Sequence, residues 1–448
     1  MRRRTVIVDG PHEDVPLSAR RPRPALLALL SMLLVVGTLM PATAVGADRT
    51  VVVVGTPPET TFHGRGWGHG VGMSQHGARG RALAGQKAGA ILAHYYAGTT
   101  LGSKDPASMV RVLLLSKLAA TASSPLAIIG RGGTFTIERI GSFPADAKIS
   151  AWPASAGSTT WTLRVTSASG SVLKSTAVSG GFVVRPGIGA SVLQLDSKPS
   201  TFDTYRGALR VRLSTTAIVV NEVGLDAYLR GVVPLEMPSS WPVEALRAQS
   251  IAARSYAAYR LHPTSGTFDV YDDTRSQVYR GVESEAASTN QAVADTAGVV
   301  LMSGGAIANA MFHSTGGGAT EHNENVFVSA SGAIVSGPVS YLRGSPDRAA
   351  DGTSFDAGAP LATWRTASYT RDELGSIFAR DSRTNVGSLT RIDLSRRGVS
   401  GRLISVTLVG SLGTKRVSGD VFRAVFNANR PAADPELRST LFDTKPIP

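Results

Sequence analysis

Residues 232–259 read VVPLEMPSSWPVEALRAQSIAARSYAAY. Pro234, Pro238 and Pro242 crowd the first half, and alanine is frequent in the second. Proline suits the first position of a helix and is disfavoured further inside. The spacing therefore predicts a Pro-bounded turn and then a helix from Pro242 to about Leu261. Glu236 sits in the turn, just before the helix. Two effects act on its proton in opposite directions. A helix N-terminus favours the carboxylate, whereas burial beside Met237, Pro238 and Trp241 disfavours charge. A catalytic acid needs burial to win. A glutamate that merely caps the first turn is the plainer reading of the same residues.

Outside this helix the chain reads mostly as β-structure. Only 18% of residues are charged and 48 are glycine, which favours turn-rich sheets over long helices. Across 106–222, runs such as MVRVLLL, TFTIERI, TWTLRVT, GGFVVR, SVLQL and LRVRL are separated by Gly, Ser and Pro clusters. Ser74 is placed to cap a helix and Gly98 to end the helical material before it. Glu283–Thr296 predicts a helix, as does YTRDELGSIFARD. GVVLM and AIANAMF predict a hairpin across Ser303-Gly304-Gly305. IDLSRR, LISVTLVGS and TKRVS predict strands. The expected fold is α+β, β-rich with a few helices. The expected organisation is an export signal at 1–47, a linker at 48–60, a Gly-rich segment at 61–105, a β-rich region at 106–222 and a core at 223–448.

The N-terminus carries Arg2, Arg3, Arg4, Arg20, Arg21 and Arg23, then an apolar run from Ala25 to Met40, then Ala-x-Ala-like sites at Ala44 and Ala47. This is the pattern of a cleaved secretory signal. The run is shorter than the roughly 20 residues a membrane span needs. It predicts a secreted protein whose mature form does not span a membrane. Cysteine is absent, which excludes disulfides, a thiolate nucleophile and Cys-based zinc. The net charge of +13 falls to about +10 without the signal. A basic exported protein suits an anionic wall polymer, and the chain carries no nucleic-acid reader motif.

Three further stretches hold chemistry-bearing residues. DVYDDTRSQVYRG, 269–281, carries Asp273, Arg275, Gln277 and Tyr279. It reads as a surface turn with an alternating strand, or as a sugar-binding edge, since these side chains match hydroxyls and acetamido groups. MFHSTGGGATEHNENVF, 311–327, holds His313, Ser314, Glu321 and His322 around a glycine turn. Its spacing fits no metallopeptidase pattern, so structural histidines are the simpler reading. HGRGWGHGVGMSQ, 63–75, has glycine at every second position from Gly64 to Gly72. It lacks the dinucleotide fingerprint G-x-G-x-x-G. In an extended chain the alternation leaves one face of bare backbone. Such a face lets another backbone or a flat ligand approach closely.

Taken together, YLRGVVPLEMPSSWPVEALRAQSIAARSYA, DDTRSQVYRG, MFHSTGGGATE, GRGWGHGVGMSQHGA with ILAHYYAGT, and VSGDVFRAVFNANRPAADPELRSTLFD resemble the SpoIID/LytB domain family. The resemblance covers most of residues 61–448 and is weakest over 102–200. It implies a glycan-binding cleft. It also implies lytic transglycosylase activity on peptidoglycan glycan strands already stripped of stem peptides, with Glu236 as catalytic acid/base. Other members of the family are regarded as modifiers of wall amidases, so a wall amidase is a second implied partner. Carried onto this sequence, the substrate-binding residues are Arg65, Trp67, His69, Gln75, Trp241, Arg254, Asp273, Arg275, Gln277, Tyr279, His313, Ser314 and Glu321. Arg254 or Arg275 is expected to meet the free lactyl carboxylate of a stripped strand. No cofactor is expected. Some members carry cysteines around the HST-GG segment; here Gly316 stands in that segment and cysteine is absent, so no metal is expected.

One departure concerns chain order. In the family GRGWGHGVGMSQ follows the R-S-T-x-F run; here it precedes everything else. This looks like a circular permutation, which preserves a fold only when the old ends lie close together. Residues 438–442 and 61–66 are therefore expected to be neighbours in one sheet. Trp67–Gln75 is expected to border the cleft holding Glu236. The link from HYYAGT into the β-rich region should lie on the surface.

Overall fold

A computed structural model describes residues 59–447 apart from 188, 190, 263 and 264. The expected export signal and most of the linker lie outside the described residues. Within them, no helix is long and apolar enough to cross a membrane.

The 106–222 region is β throughout, as its alternation predicts. Strand Met109–Leu118 buries Val110, Val112 and Leu114 and turns the intervening residues outward. It lies in a seven-stranded sheet between Ala217–Gly224 and the short parallel strand Val270–Tyr271. A six-stranded sheet, with Thr160–Thr166 and Lys148–Pro153 near its middle, contributes to the same core. Trp161, Leu163, Ile128, Phe135, Val211 and Val219 are all buried there.

The helix predicted from the opening stretch is Val243–Tyr259. Pro242 stands one position earlier than expected, as the N-cap, because its backbone is still extended there. Two cores meet on this helix. Ala253, Ala257 and Ala258 join the β-sheet core; Ala245, Leu246, Ala248, Ile251 and Ala252 join a second core with Val71, Met73, Tyr95, Tyr96 and Met237. Alanine explains the double burial, since a helix with side chains this short admits neighbours on both sides. A third core, built on Phe62, Phe422, Phe426 and Phe442, unites the C-terminal strands and helices. There the predicted helix is Arg371–Ala379, opened by a capping box between Thr370 and Glu373. The strands are Leu389–Asp393, Ser405–Gly410 and Gly413–Ser418.

The chain-order expectation is met. Strand Glu59–Arg65 pairs antiparallel with Phe442–Asp443, with Gly64 opposite Phe442. Arg65 donates its backbone N–H to the Leu441 carbonyl at 3.0 Å, and Ser439 Oγ donates to the Arg65 carbonyl at 2.8 Å. The Phe62 and Phe442 rings meet edge to face at 5.3 Å. The link into the β-rich region, Thr100–Ser103, is a largely exposed edge strand beside Val299–Ser303.

Three local expectations change. The 283–296 helix is a 3-10 turn, Gly281–Ser284, followed by a helix, Ala287–Asp295, because Glu285 and Ala286 are extended. AIANAMF supplies the hairpin strand Ala306–Ile307, but its last residue belongs to a separate strand, Phe312–His313, paired with Met73–Ser74. The glycine stretch is not an extended strand. Its strand stops at Arg65, and Gly66, Gly68, Gly70 and Gly72 all have positive φ. What approaches Gly66 and Gly72 closely is the backbone of residues 311–317, whereas Gly64 and Gly70 lie against the Trp364 and Arg402 side chains. A Cβ on Gly66 would lie 2.5 Å from the Thr315 carbonyl oxygen, and one on Gly72 would collide with the Met311 carbonyl. Gly72 has φ of 70° as well, so both conformation and space exclude a side chain. Gly72→Ala is expected to cost at least about 2 kcal/mol. Urea unfolding checks this; a midpoint equal to that of the wild type would contradict the packing described.

Candidate active site

Glu236 ends a one-turn helix, Val233–Glu236, that Pro234 helps to start. It does not cap the following helix, which begins after the Pro242 N-cap, so the capping reading falls. The side chain is partly buried. Gln75 Nε2 donates to its Oε2 at 3.2 Å, across 161 residues of sequence. The Val278 backbone N–H also donates to the carboxylate. Burial nevertheless pushes the Glu236 pKa up to about 7, with the Gln75 and Val278 bonds only moderating the rise. No other carboxylate is among the groups that shift it. At neutral pH this is a lone carboxyl able both to give and to take a proton.

The surroundings are aromatic on two sides. Tyr228 and Tyr256 each feel the Glu236 charge, and Phe312 packs on Tyr256 at 6.1 Å. Next to Gln75, His76 meets the Trp241 ring at 4.7 Å, and Arg79 lies 5.6 Å from the same ring. Ser74, through its bond from the Gly77 N–H, starts the helix Gln75–Leu83 that carries these side chains. Of the expected residues, Gln75 thus touches Glu236, and Trp241 packs against His76, the neighbour of Gln75.

Other expected site residues have structural roles. Arg254 is fully buried. It pairs with Asp226 at 2.6 Å and donates to the Val293 and Val299 carbonyls, so it cannot meet a sugar carboxylate. Arg275 is exposed but bound to Asp273 at 2.7 Å and stacked over Tyr271. The expected alternating strand there is only Val270–Tyr271, followed by turns that Asp273 and Ser276 stabilise. Tyr279 is buried and donates to Asn221 Oδ1 at 2.9 Å. Gln277 is also buried, accepting from Tyr228 Oη at 3.3 Å and donating to the Ala253 carbonyl. Its contribution is to fix Tyr228 and the adjoining Val278 N–H. Glu321 is fully buried and accepts from His322, Asn325, Val399 and Ser400, holding the 397–402 loop.

The glycine stretch supplies a scaffold more than a row of ligands. Trp67 exchanges backbone bonds with Thr315 at 2.9 and 3.0 Å, and Arg438 lies 5.7 Å from its ring. His69 packs against His313 and Phe327 at 5.4 and 5.8 Å. His313 is buried, and burial holds its pKa well below the usual imidazole value. Ser314 is buried, its carbonyl accepting from the His76 N–H. Arg65 lies beside Gly318 and feels both Arg348 and Asp356. Among the described residues no three His, Asp or Glu side chains converge as a metal site would need. Sequence reasoning missed Tyr228 and Tyr256, which sit inside quoted motifs but read as core, and Val278, whose contribution is backbone alone.

One comparison with known proteins falls on this site. Residues 214–302, which include Glu236, Trp241, Tyr256 and Val278, match the family model described as SpoIID: Stage II sporulation protein. Over this segment the chain is similar to the SpoIID domain family. It is 40% identical over 126 residues to an uncharacterized protein of Brachyspira hyodysenteriae, covering 28% of this chain and 34% of that one. It is 36% identical over 156 residues to the Amidase enhancer of Bacillus subtilis, covering 32% and 20%. It is 31% identical over 167 residues to Stage II sporulation protein D of Bacillus subtilis, covering 32% and 48%. The chain thus spans less than half the length of each of these relatives.

Proposed function

We propose that this chain is an exported lytic transglycosylase that cuts peptide-stripped peptidoglycan strands with Glu236 as its single acid/base. The observation that carries the reading is the lone carboxyl of Glu236, with a pKa of about 7, braced by Gln75. Ordinary glycosidases need two carboxylates. A muramic-acid transglycosylase needs one, because the substrate supplies the rest. Glu236 gives its proton to the glycosidic oxygen as the C1–O bond breaks, and the substrate's acetamido oxygen bonds to C1. The C6 hydroxyl then attacks C1, displaces the acetamido oxygen and returns its proton to Glu236. The product ends in a 1,6-anhydro ring. The basic charge of the chain supports an anionic polymer as substrate, and the N-terminal pattern supports export to the cell wall.

A second reading rests on the similarity to the Amidase enhancer: a wall-binding protein that acts on an amidase without cutting glycan. Digestion of purified peptide-free strands separates the two. Mass spectrometry is expected to find anhydro-muramic ends; binding without any new ends would favour the second reading.

A further inference from the structure

Arg254 and Arg275 are engaged by Asp226 and Asp273, which leaves open what in the cleft answers a negative charge. Arg260, just after the last turn of Val243–Tyr259, differs from its neighbours. Its guanidinium lies 3.3 Å from the centre of the Tyr256 ring and 5.9 Å from that of Tyr259. One Nη donates to the Tyr256 carbonyl at 3.1 Å and to Asn309 Oδ1 at 2.8 Å. Asn309 is itself fixed, its N–H donating to Tyr341 Oη at 2.9 Å. Among the described residues no carboxylate pairs with Arg260; the groups that act on its charge are Tyr256, Tyr259, Tyr228 and Tyr341. Arg247, Arg280 and Arg343, by contrast, each bind an Asp or Glu.

A partly buried guanidinium without a counter-ion is costly, and its planar fork matches a carboxylate in two-point geometry. Arg260 also adjoins the Glu236 site. Tyr256 and Tyr228 each feel the charges of both Glu236 and Arg260. Tyr256 is one helical turn from Arg260, about 5–6 Å along the axis.

We propose that Arg260, clamped between Tyr256 and Asn309, is the cleft's receptor for the carboxylate of an acidic sugar in the bound strand. The bond is a charge-assisted fork to a carboxylate. The proposal rests on the transglycosylase reading and names the group by which that site selects its substrate. It also gives stem-peptide removal a chemical reason, since amide linkage of the lactyl group consumes the charge Arg260 would meet.

The test measures binding by calorimetry with Glu236→Gln protein, which leaves the strand uncut. The probes are peptide-free glycan with intact lactyl carboxylates and the same glycan with those groups reduced to alcohols. The intact glycan is expected to bind about tenfold more tightly or better. Adding Arg260→Gln is expected to erase the difference with the circular dichroism spectrum unchanged. Arg260→Lys keeps the charge without the fork and should restore part of it. Equal binding of the two glycans by Glu236→Gln protein overturns the proposal, even if Arg260→Gln fails to fold. A preference that survives Arg260→Gln in folded protein also overturns it. In both cases the transglycosylase reading stands. Binding of neither glycan overturns that reading and this proposal together.

Discussion

Glu236→Gln is expected to lower glycan cleavage by about 10²- to 10⁴-fold, the range ascribed to a positioned general acid or base, while strand binding persists. The amide keeps the size of the side chain and can still meet Gln75 and the Val278 N–H once its own carbonyl is turned toward them. What it loses is the exchangeable carboxylic proton. Because, among the described residues, no second carboxylate acts on Glu236, no neighbouring carboxylate is expected to take over the proton transfer. Release of new chain ends from peptide-free glycan measures the loss. Cleavage at the wild-type rate would remove Glu236 from the chemistry. Loss of binding together with cleavage would assign it to binding instead.

The same substitution is expected to make the protein more stable in alkaline solution. The folded state holds the Glu236 proton up to about pH 7, against an ordinary value of 4.5. Between those two values the folded chain binds more protons than the unfolded one. Stability contributed by this group is therefore present below the ordinary value and lost as pH rises through about 7. The full shift corresponds to about 3 kcal/mol. Glutamine does not ionise, so the variant escapes the loss. Urea unfolding at pH 8 is expected to show Glu236→Gln more stable than the wild type by about that amount, with the gap closing near pH 4. A gap that is absent at pH 8, or equal at both values, would contradict burial as the cause of the raised pKa. Cleavage by the wild type should follow the same proton, falling about tenfold per pH unit well above 7.

Much of this arrangement was legible before the structure. Proline and alanine placed the Val243–Tyr259 helix to within a residue or two, and strict alternation gave Met109–Leu118 its buried face. The order of the motifs, set against that of the family, predicted that residues 438–442 and 61–66 would be neighbours in one sheet, since a moved segment keeps its fold only if its old junction stays closed. Other features had no local signature. Arg254 stands in the same motif as Glu236 and shares its look of function. Its partners, Asp226, Val293 and Val299, are 28 to 45 residues away in sequence, so its burial is a tertiary fact. The glycine alternation read as an extended strand because residue identity reports tolerance of positive φ, not its use. The Val278 N–H bond to Glu236 belongs to the backbone, which every residue has. Arg260 carries no motif at all; it stands out because, among the described residues, no carboxylate pairs with it.

The central claim is that the substrate's own C6 hydroxyl, and not water, closes the reaction at Glu236. Cleavage of peptide-free strands in water enriched in heavy oxygen tests it most directly. Mass spectrometry of the new ends is expected to find 1,6-anhydro-muramic residues without the label. Reducing ends that carry the heavy oxygen would mean that water is the nucleophile, and would contradict the mechanism.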